Sequence, residues 1–102
     1  MSNFELKLVS LSLYDEVSHV SNKELNEKRR EISHLVNMEY PKDCFKGLDS
    51  WKEDYMGKIK QSIMEMNKVA CNILHREFNE KDYEIDSEIM EAINNEEKRR
   101  NE

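Results

Sequence analysis

The sequence predicts a small all-α protein, a three- to four-helix bundle, on three observations. Of its 102 residues only 2 are Gly and 1 is Pro, where average usage gives about seven and about five. Serine-led capping boxes stand before apolar runs of helical spacing. The longest such run carries a seam of apolar residues at alternating spacings of four and three. Length and composition also exclude whole classes. Gly47 and Gly57 cannot write a GxxxxGK[ST] or GxGxxG phosphate loop, and tight hairpins lack their Gly and Asn-Gly turns. At this size the chain is expected to form one domain over 1–102, with an acidic C-terminal segment at 80–102.

At the N-terminus, Ser2-Asn3-Phe4-Glu5 fits a capping box and favours a helix. The alternative is a strand, because Phe4, Leu6 and Leu8 alternate with Glu5 and Lys7, and Val9, Leu11 and Leu13 alternate with Ser10 and Ser12. With a bulge at Leu8-Val9, such a strand over 4–13 pairs with the alternating segment 82–86 and makes the fold α+β.

Ser21-Asn22-Lys23-Glu24 forms a second box, with Ser21 as cap and Val20 and Leu25 as its hydrophobic staple. Leu25, Ile32 and Val36 share one stripe, and Pro41 biases Tyr40 out of the helical region, so the predicted helix spans 22–39. Lys28, Arg29 and Arg30 read as its solvated flanks. Residues 40–49 form a connector from which Phe45 and Leu48 plug the core. Ser50-Trp51-Lys52-Glu53 then opens a long helix to about Phe78, with the seam Trp51, Tyr55, Ile59, Ile63, Met66, Ala70 and Ile73. Gly57 lies within it and Asn79 stops it. From 59 to 73 the seam is also a candidate homodimer surface. Asp86 caps a last helix over 87–100, with Ile85 and Met90 as staple and Lys98-Arg99-Arg100 opposing the C-terminal end of the dipole.

Charge is distributed unevenly. The first 76 residues hold 12 acids and 12 bases, whereas the remaining 26 hold 10 acids and 4 bases, so the whole net charge of −6 resides in the last quarter. Acids at 80, 82, 84, 86 and 88 recur every second residue. In an extended chain they line one side at roughly 6.5–7 Å intervals, a row able to oppose a basic groove built for phosphates.

Chemistry-bearing patterns are sparse. Glu16-x-x-His19 and Glu31-x-x-His34 echo the ligand pairs that di-iron bundles project inward. The stripe of the second helix nevertheless turns Glu31 and His34 toward solvent, so the pairs read as polar surface and no metal or other cofactor is expected. Cys71 and His75, four apart, read as a thiol and a boundary histidine beside the seam, since a zinc site calls for Cys-x-x-Cys or paired His. No local signature makes a nucleophile of either cysteine, and no catalytic residues are assigned. The methionines at 56, 64, 66 and 90 read as core filling. The cluster Lys28-Arg29-Arg30, with Lys58, Lys60 and Lys68, could touch phosphates but lacks aromatic platforms and a basic excess.

The two cysteines, the missing signal peptide and the missing apolar span predict a reduced, cytoplasmic protein away from membranes. The expected function is that of a non-enzymatic protein-binding module, an inhibitor or regulator of a host protein; the alternatives are a metal-carboxylate bundle enzyme using Glu16/His19 and Glu31/His34, and a nucleic-acid-binding regulator using the basic patch at Lys28 to Arg30. The abundance of Asn, Lys, Glu and Ile fits a phage or mobile-element source. Its partner is expected to present a basic surface, engaged by Asp82, Glu84, Asp86, Glu88 and Glu91 with Trp51, Tyr83 and Ile85 as anchors.

Overall fold

The computed structural model describes residues 2–39 and 50–100, and it is all-helical. In chain order the helices are α1 (Asn3–Ser10), α2 (Tyr14–Val17), α3 (Lys23–His34), α4 (Ser50–Ile73) and α5 (Asp86–Arg100). A π-helical turn, Leu35–Glu39, extends α3, and a 3-10 turn, Glu80–Tyr83, precedes α5. The connector at 40–49, with Pro41, Cys44, Phe45, Gly47 and Leu48, lies outside the described residues.

α4 occupies the middle of the molecule. α3 packs along one flank and α5 along the other, while α1 and α2 lie across them, α1 against α3 and α5 and α2 against α4. Cross-links fix both flanking helices antiparallel to α4: Lys28 meets Glu65 while Tyr55 meets Leu35, and Lys60 meets Asp86 while Lys52 meets Glu97. The seam of α4 is the core, with Tyr55, Ile59, Ile63, Met66 and Ala70 buried, and Trp51 and Ile73 half-buried at its ends. Phe4, Leu8, Val17, Leu25, Ile32, Val36, Ile89 and Ile93 complete the same cluster. The chain's own helices therefore cover the 59–73 seam.

The N-terminal segment is helix, and no strand occurs among the described residues, so the 4–13 and 82–86 pairing is not formed. Ser2 caps α1 by accepting from the Glu5 amide at 3.1 Å. The Glu5 carboxylate does not return to complete the box. It is buried and accepts from Arg29 Nη2 at 2.7 Å, Ser33 Oγ at 3.2 Å and Asn37 Nδ2 at 3.3 Å. A buried carboxylate is tolerated only when paired and hydrogen-bonded, and these partners pin α1 onto α3. Arg29 is thus a nearly buried structural cation, 12% exposed and stacked 5.7 Å over the Tyr14 ring, not part of a solvated flank.

Three boundaries differ from those predicted. α3 is capped by Asn22, whose extended backbone lets Oδ1 accept from the Leu25 amide at 3.0 Å, so the cap falls one residue beyond Ser21. α4 ends at Ile73, not near Phe78. His75 adopts a left-handed φ of 55°, and the Arg76 and His75 amides return to the Cys71 and Asn72 carbonyls at 2.9 and 3.3 Å, a Schellman closure with histidine where glycine is usual. Asn79 instead caps the 3-10 turn by accepting from the Lys81 amide at 3.1 Å. α5 starts at Asp86 itself, whose carboxylate is drawn to Lys60 at 2.8 Å.

A Cβ at Gly57 meets nothing within 4 Å, so Gly57→Ala should stabilise the fold by about 1 kcal/mol through helix propensity, read as a higher urea midpoint at unchanged m-value. Glu5→Leu alone strands the Arg29 guanidinium and should cost about 3 kcal/mol, whereas pairing it with Arg29→Met should recover most of the loss; equal loss in the double variant would contradict the paired-burial account.

Candidate functional site

The C-terminal quarter is sorted by the fold into matched and unmatched acids. Asp86 meets Lys60 at 2.8 Å and Glu97 meets Lys52 at 3.0 Å. Glu96 is buried and gripped by Arg99 at 2.6 Å and Arg100 at 2.8 Å. The other acids between 80 and 91, Glu80, Asp82, Glu84, Glu88 and Glu91, are exposed and no ion pair engages them among the described residues, although Glu84 and Glu80 add from a distance to the Asp86 hydrogen bond that raises the Lys60 ammonium. The continuous acidic row expected of an extended chain does not form. Glu80 and Asp82 ride on the 3-10 turn, Glu84 on the link and Glu88 and Glu91 on α5.

The aromatic and apolar members of the predicted site turn inward. Tyr83 stacks on Phe78 with ring centroids 5.4 Å apart and planes 9° from parallel, and its hydroxyl lies 3.6 Å from the buried Cys71 thiol. Burial, aided by that contact, pushes the Tyr83 phenol up to about 12. This clasp closes the chain over the end of α4. Ile85 packs against the core, and Trp51 lies beside Tyr55 with ring centroids 6.3 Å apart. Trp51 is not brought together with Tyr83 and Ile85. It neighbours Lys52, at the Glu97 end of the α4 and α5 pair, whereas Tyr83 sits beside Cys71, about 30 Å further along α4.

A groove of about 580 Å³ runs between α4 and α5, with Met56 and Met90 among its lining and Asp86, Glu91, Asn94 and Asn95 around them. These two methionines are half-buried, unlike Met64 and Met66, which fill the core as expected. A second groove, of about 600 Å³, lies between α3 and α4, where Glu31 and His34 are found with Arg30, Lys58 and Glu65.

The remaining candidates are dispersed. Glu16 pairs with Arg76 at 3.4 Å, Glu31 with Lys28 at 3.3 Å, and His19 and His34 are exposed. Among the described residues no three His, Cys, Asp or Glu gather to hold a metal ion. The basic cluster is interleaved with acids: Lys28 meets Glu31 and Glu65, and Arg29 meets Glu5. The Glu65 hydrogen bond raises the Lys28 ammonium above its ordinary value, and Lys28 in turn lowers Glu65. Among the described residues no helix is long and apolar enough to cross a membrane.

Glu5, Asn67 and Glu96, three of the buried polar residues, were not singled out by the sequence. Asn67 is fully buried, and its Oδ1 accepts from the Leu13 amide at 2.9 Å at the entry to α2. Each occupies a core-facing helical position: Glu5 precedes Leu8 and Val9, Asn67 sits between Ile63 and Ala70, and Glu96 follows Ile89 and Ile93. That placement was the available signal.

No protein-family model matches this chain, and no curated protein or solved structure matches it either.

Glu96 gives the C-terminal quarter a pH signature. Hydrogen bonds from Arg99 and then Arg100 outweigh burial and hold its carboxyl below the ordinary range. The stabilisation is therefore complete above the unfolded value of about 4.3, and is lost as pH falls through the lower folded value. Glu65, also lowered, adds to the same limb. Thermal melts taken from about pH 7 to about pH 2 should show a fall in Tm that is shallower for Glu96→Gln than for the native chain.

Proposed function

We propose that the protein is a stoichiometric binding module that engages a basic surface of another protein through the acidic face at 80–91, in the manner of a small inhibitor or regulator. The observation that carries this reading is the sorting of charge. On a scaffold where Asp86, Glu96 and Glu97 are ion-paired to cations, Glu80, Asp82, Glu84, Glu88 and Glu91 stand exposed outside any ion pair among the described residues, with Glu84 and Glu80 sharing only the field of Lys60, which Asp86 already holds. Clustered surplus charge of one sign concentrates oppositely charged partners and accelerates their association. Glu88 and Glu91 are carried by α5, and the stacked Phe78 and Tyr83 rings hold the 3-10 turn that carries Glu80 and Asp82, so binding does not first require ordering a long flexible tail. The composition fits a phage or mobile-element protein directed at a host factor.

The test replaces Glu84, Glu88 and Glu91 together by lysine, sparing the structural Asp86. With helicity and melting temperature checked first, the purified native chain should retain a defined basic protein from host lysate at low salt, and the reversed variant should lose it. Equal capture by the two proteins would refute the assignment.

A further inference from the structure

We infer that the groove between α4 and α5 is where the partner anchors, and that it receives an apolar side chain of a helical segment flanked by lysine or arginine. The inference rests on the binding reading above and gives it a location and a chemistry. Along the α4 and α5 junction the cross-links form rungs: Lys60 with Asp86 at one end, Lys52 with Asn94 and Glu97 at the other. Between those rungs the facing positions are Met56 on α4 and Met90 on α5, which have no polar group to match and line the open groove of about 580 Å³. Unbranched thioether side chains adapt to varied apolar guests. Both methionines remain partly exposed, Met56 with one side packed on the core, and covering them would remove further apolar surface from water.

Charge selects the occupant. Lys60 is held by Asp86 and is shared more weakly with the neighbouring Glu84, so one cation faces two carboxylates there, and the surplus at the rim comes mainly from Glu91, with Glu88 one turn earlier on the same helix. A guest helix with an apolar residue over Met56 and Met90 would set its flanking cations against these carboxylates, while Asn94 and Asn95 offer neutral hydrogen-bonding groups further along. A second copy of this chain would instead bring an equally acidic rim against the first, and like charges across an interface disfavour that pairing.

The probe is a synthetic peptide in which leucine and lysine repeat at helical spacing, compared with a version carrying alanine for leucine. Protein labelled with 13C at the methionine methyls reports the site. The leucine peptide should shift the Met56 and Met90 methyl signals and leave Met64 and Met66 in place. It should bind more tightly than the alanine peptide, and Met90→Gln or Met56→Gln, each shown folded by circular dichroism, should weaken it about tenfold, the loss of one buried apolar contact. If the leucine peptide binds, is lost on lysine substitution of Glu84, Glu88 and Glu91, yet leaves both methyls unshifted or both glutamine variants at full affinity, the groove is wrong and the acidic-face reading stands. If neither peptide binds, both readings fail. Shifts of the same two methyls on concentrating the protein alone, or on adding duplex DNA or anionic vesicles, would assign the groove to another occupant and overturn the inference.

Discussion

The width of the apolar surface on α4 is the constraint on which the rest of the structure depends. A helix of 24 residues carrying Tyr55, Ile59, Ile63, Met66 and Ala70 along one seam, with Cys71 and Val69 beside it, cannot bury that surface against a single neighbour. It takes α3 on one flank, α5 on the other and the short α1 and α2 across them. Hydrophobic burial supplies the drive but does not fix register. Polar groups in the interior do that: Asn67 receives the chain entering α2, Glu5 ties α1 to Arg29 of α3, and Tyr55 donates to the Leu35 carbonyl at 2.9 Å where α3 widens into its π turn.

Assembly of the helices also distributes the charge. Flanking helices antiparallel to α4 bring its Lys52 and Lys60 opposite acids of α5 and its Glu65 opposite Lys28 of α3, so these three lysines are used in building the bundle. Arg29, Arg99 and Arg100 are drawn to buried carboxylates. What remains outside this matching is the set of acids on the 3-10 turn, its link and the outer face of α5. The Schellman closure at His75 and the stacking of Phe78 on Tyr83 hold that segment folded against the end of α4. The acidic face is thus a product of the fold as well as of composition, and the same geometry sets it beside the methionine-lined groove.

Much of this was legible in the sequence. The seam of α4 and the stripe of α3 were readable because apolar spacing at helical period survives without knowledge of neighbours. The cap at Ser2 was readable because it is local. Asn22 displaced Ser21 because either residue can cap, and one step of register decides which side chain meets a free amide. The early end of α4 was hidden because a histidine, not a glycine, takes the left-handed position. The charge asymmetry was visible as a sum, but which acids remain unmatched depends on cations distant in sequence, such as Lys52 for Glu97 and Lys60 for Asp86. For the same reason the Met56 and Met90 groove was not foreseen: each methionine alone looks like core filling, and only the antiparallel pairing of α4 with α5 places both in one open groove.

The central claim is that unmatched carboxylates at 80–91 drive recognition of a basic protein surface. Its most direct test is the ionic-strength dependence of the association rate with the captured partner, followed by stopped-flow mixing. The account predicts a rate that falls steeply as salt rises while dissociation changes little, as electrostatic steering requires; an association rate indifferent to salt would contradict it.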